Sequence, residues 1–164
     1  MLGQLFCRHQ PHNALKLAES GKADSIQVIY NIFDQSPEEV LLPLAKKNNL
    51  GIIARVPFDE GSLTGTFTNE TKFDDWRTNY FKGERLKEAV DRVNKLKFLA
   101  NPNRTLAQAA LQFCLSNDAV STAIPGMRKE SHVIENVKAD EGMLAQGEIE
   151  EIRKHKWIRD FYRP

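Results

Sequence analysis

Apolar positions along the chain fall alternately into short dense runs and longer, helically spaced stripes. Residues 1–7 form a short apolar run broken by Gly3 and Gln4. Pro11 opens the first predicted helix, with Ala14, Leu15, Leu17 and Ala18 on helical spacing and Gly21 at its end. Residues 25–30 (Ser-Ile-Gln-Val-Ile-Tyr) are rich in β-branched and aromatic side chains and read as a buried strand. Ser36, Pro37 and Glu39 then match a helix start, as N-cap, first helical residue and capping-box partner, with Val40, Leu41, Leu44 and Ala45 as the apolar stripe. A strand over 50–56 ends at Pro57, and 58–82 is irregular, aromatic and rich in turns. Leu86, Ala89, Val90, Val93, Leu96 and Leu99 mark a long helix over 84–100. Thr105 caps a helix whose inward residues are Leu106, Ala109, Ala110, Phe113 and Cys114. A fourth strand, 119–124, closes at Pro125-Gly126, and helices follow from about Ser131 and over 148–157.

Strands separated by helices of this length pair in parallel through right-handed crossovers, which makes the chain α/β. Four such units fit a small doubly wound sheet or part of a (β/α)8 barrel, since a whole barrel takes about 250 residues. The 164 residues are read as one domain, 1–164, large enough to bury a core. Composition adds exclusions. With 23 basic and 22 acidic residues the formal charge is +1, so no general electrostatic attraction draws the chain to nucleic acid or an anionic membrane. No apolar run approaches the ~20 residues of a membrane span, and residues 1–9 lack the basic start and apolar stretch of a secretory leader. Cys7 and Cys114 stand far apart in apolar surroundings, as core thiols of a cytoplasmic protein rather than metal ligands or a disulfide.

Several segments carry a resemblance. Residues 27–31 (Gln-Val-Ile-Tyr-Asn), 41–45 (Leu-Leu-Pro-Leu-Ala), 51–57 (Gly-Ile-Ile-Ala-Arg-Val-Pro) with 61–65 (Gly-Ser-Leu-Thr-Gly), and 122–128 (Thr-Ala-Ile-Pro-Gly-Met-Arg) with 133–137 (Val-Ile-Glu-Asn-Val) resemble, in order and spacing, the C-terminal half of the aldo-keto reductase family. The resemblance implies that the four strands are the fifth to eighth of a (β/α)8 barrel, so the chain is expected to be a half-barrel.

That family's catalytic Asp, Tyr, Lys and His lie on the first four strands, so no catalytic residue is assigned here. Tyr30, Tyr80 and Tyr162 lie in the wrong motifs for the acid role, and His9, His12 and His155 read as solvated. What the resemblance does imply is a site for NADP. Gln27 matches a side chain that holds the nicotinamide carboxamide, an amide both donating and accepting; a buried glutamine tied to a neighbouring strand is the alternative. Arg55 stands where many members stack an aromatic ring on the nicotinamide, and a planar guanidinium also stacks. Pro57, Phe58, Gly61, Leu63 and Gly65 resemble the loop that crosses the pyrophosphate, where Asp59 and Glu60 would repel phosphate unless turned away. Gly126, Met127 and Arg128 precede a helix N-terminus, a natural anion site, and Arg128 matches an arginine that holds the adenosine 2′-phosphate. His132, Glu135 and Asn136 share one helix face, on which Glu135 and Asn136 match residues that hydrogen-bond the adenine and His132 stands near the adenosine; a solvated face is the alternative. Leu5 and Phe6 replace the polar pair that grips the carboxamide in the family.

Two readings follow. In one, the chain is the cofactor-binding half of an NADP-dependent oxidoreductase, inactive until completed by the other half. In the other, it is a half-barrel that pairs with itself or with a complementary half-barrel, because exposed sheet edges and apolar strand faces favour association, and its role is structural, one of interaction, or vestigial, without catalysis.

Overall fold

A computed structural model describes residues 3–5 and 14–159, with side chains from residue 14 onward. Phe6, Cys7, His9, Pro11, His12 and Tyr162, and the side chain of Leu5, lie outside the described residues. Four strands, β1 (Gly3–Leu5), β2 (Ser25–Ile29), β3 (Gly51–Arg55) and β4 (Val120–Ile124), form one parallel sheet in chain order. The helices are α1 (Leu15–Glu19), α2 (Leu41–Lys47), α3 (Arg77–Tyr80), α4 (Arg85–Asn94), α5 (Leu106–Leu115), α6 (Glu130–Val137) and α7 (Gln146–Arg153). Each strand's neighbour is the next in sequence, as expected when every connection crosses over and returns in parallel.

The strands have two faces with different partners. Ile26, Val28, Ile52 and Ala54 are buried in the main core, against Leu41, Leu42 and Ala45 of α2 and Phe113 and Cys114 of α5. On the other face the register sets Gln27 beside Ile53 and Thr122, and sets Arg55 between Ile29 and Ile124. Gln27, Ile53 and Arg55 are half-buried, and Ile124 is 45% exposed. An extra residue, Ser121, interrupts the β3–β4 pairing, and its Oγ accepts the Ile52 N–H at 3.2 Å.

Several sequence expectations are corrected. Ser36 does not cap a helix. Its Oγ donates to Asp34 Oδ1 at 2.6 Å, 36–38 form a separate 3₁₀ turn, and α2 begins only at Leu41. Glu39 pairs instead with Lys156, and Val40 is 53% exposed while Leu42 takes its place in the core. The helix expected over 84–100 breaks after Asn94 into a 3₁₀ turn at 97–99, though Ala89, Val90, Val93, Leu96 and Leu99 are all buried as the spacing requires. The last helix ends at Arg153, not Trp157. Trp157 leaves the helix because its N–H donates to Phe33 O at 2.8 Å and its ring meets Phe33 edge-on at 5.4 Å. His155 lies beyond α7 and half-buried, with Phe98 at 6.3 Å, rather than on an open helix surface. The irregular stretch has its own small core, in which Tyr80, Phe81 and Ala89 pack with Phe67 and Phe73.

Thr105 does cap α5. Its Oγ1 accepts the Gln108 N–H at 3.1 Å and Gln108 Oε1 accepts the Thr105 N–H at 2.9 Å, a reciprocal capping box. No helix among the described residues is long and apolar enough to cross a membrane.

Candidate dinucleotide site

Parallel strands leave their C-terminal ends and the following loops on one side of the sheet, where barrels of this type keep their sites. There an open cleft of about 460 Å³ lies between two segments far apart in sequence. One wall is the segment after β3: Val56, Pro57, Phe58, Glu60, Gly61 and Thr64. The other follows β4 into α6: Ile124, Gly126, Arg128, His132, Glu135 and Asn136. Thr66, Phe67, Asp75, Trp76, Arg77 and Ala107 complete the lining.

The first wall is strained. Val56, Asp59 and Glu60 have φ of 56°, 50° and 57°, a left-handed conformation that costs roughly 1–3 kcal/mol each in a non-glycine residue. For β-branched Val56 it is a true outlier. The strain is held by specific bonds. Val56 O accepts from Asn31 Nδ2 at 3.0 Å, and Phe58 O accepts the N–H groups of Gly61 and Leu63 at 2.9 and 3.0 Å. Gly65, at φ 75°, ends the turn and packs on Leu106, leaving a Cβ only 3.2 Å from its nearest atom. Asp59 does not face the cleft. It is 4% exposed and pairs with the Arg159 guanidinium, so its charge is neutralised inside the fold.

The second wall is more open. Arg128 and Met127 are exposed, and α6 buries none of its side chains. No side chain caps α6, and the first N–H groups of a helix have no acceptor within it, so amides and a positive dipole end stand beside Arg128. Asn136 Nδ2 donates to Gly126 O at 3.4 Å, which ties the turn back to the helix. Glu135 Oε1 accepts from Thr105 Oγ1 at 2.9 Å, and Glu135 O accepts from Gln108 Nε2 at 3.2 Å, anchoring α6 to the capped end of α5. His132 is exposed on the same face.

Asp75 and Arg77 form a pair on the rim that sequence reading did not single out. Arg77 Nε and Nη2 donate to Asp75 at 3.0 and 2.8 Å, and the Arg77 N–H adds a bond at 3.0 Å. The Arg77 side chain holds the Asp75 carboxyl below the usual carboxylate range; its backbone N–H and, weakly, the charge of Arg128 act in the same direction. The signal lay in Asp75-Trp76-Arg77, where an i,i+2 pair closes a turn beside a half-exposed tryptophan (Trp76, 50% exposed), but nothing local says that the turn meets residues 50 positions away.

The structure thus brings Pro57, Phe58, Gly61, Gly126, Arg128, His132, Glu135 and Asn136 to one cleft. Leu63 is not at its surface: it is fully buried and supports the turn from the core. Gln27 and Arg55 sit on the neighbouring sheet face, outside the cleft lining, and Met127 lies exposed beside it. The Arg55 Nε is buried with no hydrogen-bond partner among the described residues.

An open α/β cleft at the strand ends, with a glycine-bearing turn on one side and an arginine at a helix start on the other, offers backbone N–H groups and a cation to an anionic ligand. Comparison with known proteins makes this specific. Residues 10–156 match the aldo/keto reductase family, and the chain belongs to that family, whose fold is a TIM barrel and whose members bind NAD(P)H. The chain is 30% identical over 122 residues to the NADH-specific methylglyoxal reductase of Escherichia coli, spanning 73% of this chain and 37% of that protein. It is 26% identical over 138 residues to a Schizosaccharomyces pombe aldo-keto reductase named for NADP(+), spanning 79% of this chain and 41% of that one. Its structure superposes on the holo form of an aldo-keto reductase from Bacillus halodurans with a TM-score of 0.71 at 26% identity, covering 94% of this chain and 49% of the other. The chain therefore spans well under half the length of these curated relatives.

Proposed function

We propose that this chain is the NADP(H)-binding C-terminal half-barrel of an aldo-keto reductase, a single domain over 1–164 that binds the dinucleotide across the cleft. The observation that carries this reading is the convergence of two motifs about 70 residues apart, at 56–65 and 126–136, on one cleft at the strand ends. The residues fit the ligand. Arg128 offers a planar fork for a phosphate, the turn at Gly61 lets backbone approach, and of the two carboxylates of this turn Asp59 is buried against Arg159, while Glu60 stays on the cleft wall. Glu135 and Asn136 hold α6 in place and leave His132 facing the adenosine end. Gln27 and Arg55 would serve the nicotinamide end from the sheet face. When bound, the dinucleotide supplies hydride to a carbonyl. In the family the proton comes from a tyrosine of the other half-barrel, and Tyr30 is unsuited to replace it: its hydroxyl donates to Glu38 Oε1 at 2.6 Å and burial pushes its pKa upward. The chain alone is accordingly expected to be inactive in carbonyl reduction, and to work in the cytoplasm.

Titration calorimetry of the full chain with NADPH and NADH tests the reading. A charge-assisted hydrogen bond is worth about 1.5–3 kcal/mol, so Arg128→Ala should weaken NADPH by roughly 10- to 150-fold and NADH far less. Equal losses for the two cofactors would make Arg128 structural, and absence of binding at millimolar concentration would remove the cofactor reading.

One feature favours a second reading. Ile124, Val133, Ile134 and Val137 are 40–65% exposed along β4 and α6, at a sheet edge among the described residues. Such an edge invites pairing with a second copy or a complementary half-barrel. A self-associated chain that binds neither dinucleotide in the same titration would favour a structural role.

A further inference from the structure

A buried ion pair stands directly behind the strained wall of the cleft. The two side chains, Asp59 and Arg159, are 6% and 7% exposed. Asp59 Oδ2 accepts both from Arg159 Nη2 and from Ser62 Oγ, the latter at 2.5 Å. Arg159 comes from the segment after α7, one hundred residues away. Its guanidinium lies 3.8 Å from the centroid of Trp157, and Arg92 of α4 lies 4.3 Å from the same ring. Trp157 is itself fixed to the loop after β2, through its N–H to Phe33 O and its edge-on contact with Phe33. The cation that meets Asp59 is therefore anchored by a ring whose own position is set by β2 and α4.

The geometry points to Arg159 as a positioning residue for dinucleotide binding: through Asp59 it fixes the backbone of 56–61, with positive φ at Val56, Asp59, Glu60 and Gly61, that forms the β3 side of the cleft. This rests on the cleft being a dinucleotide site. A buried carboxylate is tolerated only with a partner of opposite charge. With Arg159 present, the Asp59 side chain turns inward, and the next residues, Glu60 and Gly61, line the cleft. Without it, Asp59 would seek water, and its chain neighbours Phe58 and Glu60 already line the open cleft. A carboxylate would then stand where the pyrophosphate is expected, and the turn that presents the Gly61 backbone would lose its anchor. The Arg128 wall is built on β4, α5 and α6 and shares none of these bonds.

Two probes separate the walls. NADPH spans both, whereas adenosine 2′-monophosphate is short enough to occupy the Arg128 end alone. In the full 164-residue chain, Arg159→Met should weaken NADPH by about 10-fold or more and leave adenosine 2′-monophosphate within about twofold. Arg159→Lys, which keeps the charge, should show the same split at a smaller size and serves if the methionine variant does not fold. Hydrogen exchange reads the wall without any ligand: the amides of Gly61, Leu63 and Gly65 should exchange faster in Arg159→Met while α5 stays protected. Parallel weakening of both probes, no weakening of either, or unchanged exchange at 61–65 would overturn the assignment. A wild-type chain that binds neither probe overturns the dinucleotide reading and this assignment with it; binding without the split overturns this assignment alone.

Discussion

Replacing Asn31 by alanine should loosen the cleft from within the core. Asn31 is 1% exposed and its side chain makes three bonds. Nδ2 donates to Val56 O at 3.0 Å, and Oδ1 accepts the N–H groups of Phe33 and Asp34, each at 2.9 Å. It thus ties the loop after β2 to the left-handed residue after β3. Alanine removes all three and leaves two N–H groups to be satisfied otherwise, while Val56 O keeps the Asp59 N–H at 3.0 Å. A typical hydrogen bond contributes about 0.5–1.5 kcal/mol net, and an orphaned buried group costs about 1–3 kcal/mol. Water entering the space left by the side chain would recover part, which brings the expected loss to about 3 kcal/mol. For a chain of this size that is a Tm lowered by roughly 6–12 °C. Urea denaturation followed by circular dichroism checks it, with the slope unchanged so that the difference in midpoint reports stability. Since the lost bond acts on Val56, NADPH affinity should fall as well. A destabilisation below about 1 kcal/mol would refute the argument, because the strained Val56 would then be shown not to depend on this tie.

Two further outcomes test the electrostatics and the packing. Arg104 donates to both oxygens of Glu148 and also to Leu99 O at 2.8 Å, and its hydrogen bonds hold the Glu148 carboxyl below the ordinary glutamate value of about 4.3. A carboxyl lowered in the folded state adds stability above its unfolded value and loses it as pH falls through the folded one. Glu148→Gln should therefore cost about 1–2 kcal/mol at pH 7 and flatten the decline in stability below about pH 4.5; an unchanged acid limb would contradict it. Cys114 is fully buried, its Sγ donating to Tyr30 O at 3.3 Å, and burial pushes its thiol up to about 12. Iodoacetamide at pH 8 should leave Cys114 unmodified in the native chain and modify it after unfolding, as peptide mass spectrometry can read; rapid labelling of the native chain would show that α5 opens.

The features legible in the residues are those whose cause is local. Helical spacing at Ala89, Val90, Val93, Leu96 and Leu99 buries the same side chains in the structure. Thr105 and Gln108, three apart, satisfy each other's end of α5 by a bond that needs no distant partner. Gly21, at φ 66°, ends α1 because glycine adopts the left-handed turn without steric cost. The order of strands and crossovers also follows from the pattern, and with it the side of the sheet on which a site can lie.

Other features depend on partners the sequence does not bring near. Ser36 has the form of an N-cap, but Asp34, itself buried, takes its hydroxyl, so the helix starts five residues later. Trp157 continues the apolar spacing of α7, yet Phe33 competes for its N–H and wins, ending the helix at Arg153. Leu63 belongs to the cofactor-loop motif but is swallowed by the core, and Asp75 and Arg77 reach the cleft only because the aromatic cluster of Phe67, Phe73 and Phe81 folds their loop over it. Asp59 is the sharpest case. Read alone it is a charge that should repel phosphate; in the fold Arg159 turns it inward and makes it a support. Periodicity, caps and turns are decided by energies between neighbours in the chain, so the sequence determines them by itself. The direction in which a charged side chain points is decided by desolvation and by whichever opposite charge the tertiary structure delivers, and for Asp59 that charge arrives from one hundred residues away.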